Sequence, residues 1–180
     1  MLEIIAIIAV VLAIAIAIVL VLASTKPATF SIQRSAVMQA HAETIFPLIS
    51  DFHQWTKWSP WEHKDPALKR SYSGAENGKG AVYAWEGNKN VGCGRMEILD
   101  ASLPSRITIK LDFFKPFEAH NTAEFTFVPE RGAAATNVIW VMRGPSSFMS
   151  KVMQVFMDFD KMVGRDFETG LSNLKTLAEK

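Results

Sequence analysis

The sequence predicts an α+β fold in which a curved antiparallel sheet of about seven strands wraps around a long C-terminal helix, preceded by a separate transmembrane helix. Three observations carry this. Residues 4–23, "IIAIIAVVLAIAIAIVLVLA", contain no charged or polar side chain, no Gly and no Pro. From about residue 69 to residue 143, apolar residues recur at every second position in segments divided by turn residues. After Gly144 and Pro145 the period becomes helical and holds for about thirty residues.

The first element is the apolar run. At about 1.5 Å per residue, twenty residues span roughly 30 Å, the thickness of a bilayer core. A helix buried in a soluble domain normally keeps a polar face, and this one has none. The leading "MLE" has no Lys or Arg, and the run is longer than a usual signal-peptide core, so a retained single-pass anchor is expected. Cleavage after the small-residue pattern at Val21, Leu22 and Ala23 is the alternative. Lys26 and Arg34 lie on the C-terminal side and Glu3 on the other, which points to a cytoplasmic domain. Residues 1–27 form the anchor with its linker "STKPAT", and residues 28–180 form one domain.

Within that domain, Phe30 to Met38 reads as a strand. "AHAETIFPLIS" (40–50) reads as a short helix with Ala42, Ile45, Phe46 and Ile49 on one face. Asp51 can cap a second short helix running to about Lys57, and Pro60 and Pro66 keep the next stretch irregular. "GAENGKG" (74–80) is a hairpin turn. A phosphate loop would have to open a helix, and here a strand follows. The strand after it sets Ala81, Tyr83 and Trp85 on one face, "NKN" turns the chain, and Met96 and Ile98 share the face of the next. Ile107, Ile109, Leu111 and Phe113 alternate in "RITIKLDFF", and Pro116 breaks the run. Phe117, Ala119, Asn121, Ala123, Phe125 and Phe127 then share a face, "ERG" (130–132) turns, and Val138, Trp140 and Met142 follow in phase. Short connections imply an antiparallel meander. Ser146 or Ser147 can cap a single helix whose stripe runs through Phe148, Val152, Val155, Phe156, Phe159, Val163, Phe167, Leu174 and Leu177. A sheet that curls around such a helix tends to leave a cavity between them.

Four stretches carry a family likeness: "WTKWSPWEHKDPALKRSYSG" (55–74), "GAVYAWEGNKNVGCGRMEI" (80–98), "KLDFFKPFEAHNTAEFTF" (110–127) and "DKMVGRDFETGLSNLK" (160–175). With this order of elements, residues 30–180 resemble the START-like helix-grip superfamily, also called SRPBCC, in its polyketide cyclase/dehydrase branch. The N-terminal helix lies outside the likeness. The resemblance implies a helix-grip fold, and in many members a cavity for an apolar ligand.

The charge balance, 19 basic against 18 acidic residues, leaves no nucleic-acid footprint. Cys93 is the single cysteine, so there is no internal disulfide and no cysteine-based metal cluster. His53 and His63 stand ten residues apart without a ligand motif, and neither metal nor cofactor is expected. Trp58 and Trp61 either plug one end of the core or wall a cavity mouth. Tyr83, Trp85, Met96, Phe113, Phe125 and Trp140 on the strands, with Phe156 and Phe159 on the helix, are expected to line the cavity. Asn121, inward and polar, either bonds a neighbouring strand or anchors a ligand. The methionines beside the stripe are core, or soft walls for varied ligands. Asp166, near the centre of the stripe, either pairs with an Arg or caps a loop, or else acts as a general acid or base, with Tyr83 the other catalytic candidate. His120 faces the other way. The leading expectation is a membrane-anchored binder of a hydrophobic small molecule or lipid. The alternatives are a cyclase or dehydrase acting on such a compound, and an interaction module like the chaperone-activating relatives.

Overall fold

The computed structural model describes residues 1–130 and 134–180. Helix α1 (Leu2–Ser24) stands clear of the domain, with every residue exposed except Val19, half-buried, and Ala23, buried. Its end packs against a later helix, α3. It is long and apolar enough to cross a membrane; a signal sequence has the same properties.

The domain follows as β1 (Thr29–Met38), α2 (Ala42–Ser50), two 3₁₀ turns (Phe52–Lys57 and Pro60–His63) and six further strands. These are β2 (Lys69–Gly74), β3 (Ala81–Glu86), β4 (Cys93–Ser102), β5 (Arg106–Lys115), β6 (Ala119–Pro129) and β7 (Thr136–Pro145). The sheet is antiparallel throughout, in the order β1-β7-β6-β5-β4-β3-β2, so β2 to β7 form the expected meander and β1 closes its far side. Register shifts between β4 and β5, at Cys93/Gly94 and Ile98/Asp100, bend the sheet as bulges do. Gly94 is required at the first of them, because a Cβ there would run into the Asp112 carbonyl and the Trp85 ring.

Alternation sorts the faces as the period predicts. Ile107, Ile109, Leu111, Ala123, Phe125, Phe127, Val138 and Trp140 are buried on the concave side. Two departures are corrections. Phe117 does not join that face: β6 begins at Ala119, and Phe117 is exposed in the hairpin before it. Asp112, on the outer face, is nonetheless buried, beneath Lys110 and His120. The turn expected at 130–132 falls, but for Glu130, outside the described residues.

The single long helix is also corrected. The chain makes α3 (Phe148–Phe156), leaves helical geometry at Met157, and restarts as α4 (Phe159–Ala178). Asp158 causes the restart: its carboxylate accepts the Lys161 N–H at 3.0 Å and caps the new helix. Ser147 caps α3 in the same way, accepting from Ser150. Only α4 is gripped by the sheet, burying Phe167, Leu171 and Leu174, while no residue of α3 is buried.

Candidate ligand-binding site

The two 3₁₀ turns carry the tryptophan-rich stretch across the open side of the sheet and divide its residues by chemistry. The indole N–H of Trp55 donates to the Ile49 carbonyl and that of Trp58 to the Leu48 carbonyl, each at 2.9 Å, so both rings enter the core with their polar atoms satisfied. The histidines stay outside: His53 pairs with Asp51, the residue that caps the first turn, and stacks on Tyr72. Trp58 is fully buried and meets Trp140 edge-on; Trp140 stacks flat on Phe167 of α4 at 4.0 Å. Gly170 permits this closeness, since a Cβ there would lie 3.0 Å from the Trp140 ring.

Beside this cluster the sheet pulls away from α4 and leaves a cavity of about 160 Å³. Its wall is overwhelmingly apolar, and apolar cavities of that size take up small apolar molecules. It occupies one half of the sheet. Strands β3 to β7 each contribute from the part nearest one rim: Trp85 from β3, Met96 from β4, Phe113 from β5, Ala123 from β6 and Met142 from β7. That rim is where β1 begins, because Thr29 pairs with Pro145, Phe113 with Ala119, and Cys93 with both Lys115 and Glu86. The lining residues that keep partial exposure, Trp61, Trp85, Val91, Phe113 and Val163, mark the mouth.

One charged group reaches the wall. Glu62 is buried in the second 3₁₀ turn, where Oε1 accepts the Tyr83 hydroxyl at 2.6 Å and Oε2 accepts Arg70 Nε at 2.6 Å. Arg70 also donates to the Glu62 carbonyl. Burial, then the bond to Glu62, pushes the Tyr83 phenol well above its ordinary range, so it stays a donor. The carboxylate, in turn, holds the Arg70 guanidinium in its charged form. The Trp140 Nε1 donor is buried with no partner among the described residues, although the ring lines the cavity.

Six residues expected at the cavity line it: Trp61, Tyr83, Trp85, Met96, Phe113 and Trp140. Trp58 and Phe125 do not; they are buried behind it, packed on Trp140. Asn121 points inward but sits at the β6–β7 rim against Gly144, away from the wall, and its Oδ1 finds no partner among the described residues. Phe156 and Phe159 are displaced by the helix break: Phe156 is 71% exposed on α3, and both border a separate cleft with Phe30 and Lys26. Asp166 lies outside the cavity at the edge of the α4 stripe, paired with Lys64 at 2.7 Å. Glu62, Arg70 and Trp55 escaped the sequence reading. An inward Tyr83 does demand a hydrogen-bond acceptor, but which carboxylate supplies it is a matter of chain path. Among the described residues no three His, Cys, Asp or Glu side chains are placed to hold a metal ion.

A family model described as polyketide cyclase / dehydrase and lipid transport matches residues 29–179. No curated protein matches the chain. Solved structures share the fold at low identity. The protein CV1439 from Chromobacterium violaceum is 14% identical, with a TM-score of 0.57 over 86% of this chain and 99% of that one. The di-domain ARO/CYC BexL from the BE-7585A biosynthetic pathway is 14% identical, with a TM-score of 0.63 over 88% of this chain and 53% of its own. The Aha1 dimer from Colwellia psychrerythraea is 14% identical, with a TM-score of 0.58 over 83% of this chain and 96% of that one.

Proposed function

Because this chain belongs to the polyketide cyclase / dehydrase and lipid transport family, we propose that it binds an apolar small molecule or lipid in the cavity between sheet and α4, held at the membrane by α1. The observation that carries the reading is the cavity itself: apolar walls, a ring of half-exposed aromatic side chains at its mouth, and one fixed polar pair, Glu62–Tyr83. Such a composition suits a ligand recognised by shape and apolar area with a single polar end. Residues 1–27 act as anchor and linker and residues 28–180 as the binding domain.

A second reading, conversion of the ligand, has one observation in its favour: Glu62 and Tyr83 bring a carboxylate and a proton-bearing phenol to the same wall, with Arg70 bonded to the carboxylate behind them. In the resting arrangement these groups satisfy one another, which favours binding over chemistry.

The test is native mass spectrometry of the full chain released from detergent micelles, together with titration by 1-anilinonaphthalene-8-sulfonate. A co-purified apolar molecule, or saturable binding of one dye per chain, is expected. Absence of both would remove the cavity as a binding site.

A further inference from the structure

The rim that carries the cavity mouth is also the rim where the chain leaves α1. Only the residues 25–28 separate α1 from β1, a reach of at most about 18 Å for the chain from Ser24 to Thr29 at 3.6 Å per residue. The link is held as well as short: the Ser146 N–H donates to the Ala28 carbonyl at 2.8 Å, and α1 packs on α3. The strand register brings the β5–β6 hairpin to the same rim.

Exposed aromatic side chains gather there. Among the described residues, the exposed phenylalanines are Phe114 and Phe117 in the hairpin and Phe148 and Phe156 at the two ends of α3. Met149 and Met157 stand exposed beside them. The opposite rim exposes aliphatic side chains such as Leu99, Leu103 and Val128, and no phenylalanine. A short helix with exposed apolar side chains at both ends, next to an aromatic hairpin tip, has the composition of a surface that enters the headgroup–acyl boundary of a bilayer.

We propose that this rim docks on the lipid bilayer, with Phe114, Phe117, Phe148 and Phe156 inserted roughly 5–10 Å into the interface, so that the cavity mouth faces lipid. The proposal rests on the reading of α1 as a membrane anchor. The occupant is lipid because a four-residue link brings this rim to the surface that α1 enters. The mouth residues Phe113 and Val91 then lie on the path by which an apolar molecule passes from acyl chains to cavity without crossing water.

The test uses the full chain with Cys93→Ser, carrying one of Phe117→Cys, Phe148→Cys or Asn77→Cys labelled with the fluorophore NBD. Asn77 sits exposed in the β2–β3 turn at the opposite rim. Each protein is reconstituted into phosphatidylcholine vesicles that include lipid bearing an acyl-chain nitroxide. Flotation reports anchoring and nitroxide quenching reports docking. Expected are flotation of all three, loss of most emission at positions 117 and 148, and little loss at 77. Flotation with equal quenching at the three positions overturns the docking and leaves the anchor standing. Failure to float removes the anchor, and the docking with it.

Discussion

Filling the cavity from Ala123 tests whether the space is real. Ala123 is buried on β6, lines the wall, and faces Ile109 and Met142 in the adjacent strands. Ala123→Leu adds three carbons. Placed in free apolar space, they contribute about 0.8 kcal/mol each, so up to roughly 2.4 kcal/mol of added stability. For a chain of this size, that raises the unfolding midpoint by roughly 5–10 °C, at about 2–4 °C per kcal/mol. Were the site already filled by side chains, the same change would overpack it and cost about 1–3 kcal/mol. The sign of the shift therefore reports whether there is space. In detergent-solubilised protein stripped of bound apolar molecules, we expect the midpoint to rise. Dye affinity should fall by about tenfold or more, equivalent to about 1.4 kcal/mol, because the leucine takes the volume that the dye uses. A lowered midpoint with unchanged dye affinity would refute both the cavity and its use.

Three further outcomes follow from the polar contacts. Tyr83→Phe removes the donor to the buried Glu62 carboxylate and should cost about 1.5–3 kcal/mol, the range for a hydrogen bond to a charged group, read as a lower thermal midpoint; a loss under about 0.5 kcal/mol would mean that Glu62 does not depend on it. Asp166→Asn breaks a half-exposed pair with Lys64, so its cost should stay within about 1 kcal/mol with ligand affinity unchanged; loss of any turnover found, with the fold intact, would place Asp166 in the chemistry instead. His120 is held above its usual 6.5 chiefly by its hydrogen bond to Asp112, so the protonated pair adds stability that is full below pH 6.5 and lost as pH rises through the higher folded value. His120→Asn should remove that pH dependence from urea midpoints measured across the window, and an unaltered profile would show the pair to be inert.

Period alone was enough for most of the fold. Strict alternation in "RITIKLDFF" and "FEAHNTAEFTFV" decides which side chains face inward, because a one-residue slip would expose the whole apolar set. The helix break was invisible for the converse reason. The stripe continues in phase from Phe148 to Leu174, and an apolar period cannot register two residues in which Met157 turns extended and Asp158 caps anew. That break moved Phe156 and Phe159 out of the cavity. Asp166 shows how narrow the margin is: on a continuous stripe it reads as central and partly buried, yet on α4 alone it sits at the edge, within reach of Lys64.

By itself the sequence determined the apolar N-terminal segment, the antiparallel meander, the inward faces of its strands and the amphipathic stripe that they grip. The first is an unbroken apolar run and the others are periodic properties of hydrophobicity, which burial of apolar area enforces locally. Only the tertiary structure decided which inward residues meet empty space and which meet one another. Phe113 and Phe125 share one alternation, but Phe113 falls where the bulged sheet pulls away from α4 and Phe125 where Trp58 and Trp140 fill the gap. The pairing of Glu62 with Tyr83 and Arg70 is of the same kind: it depends on the path of two 3₁₀ turns across the open sheet, and no period records the path of a loop.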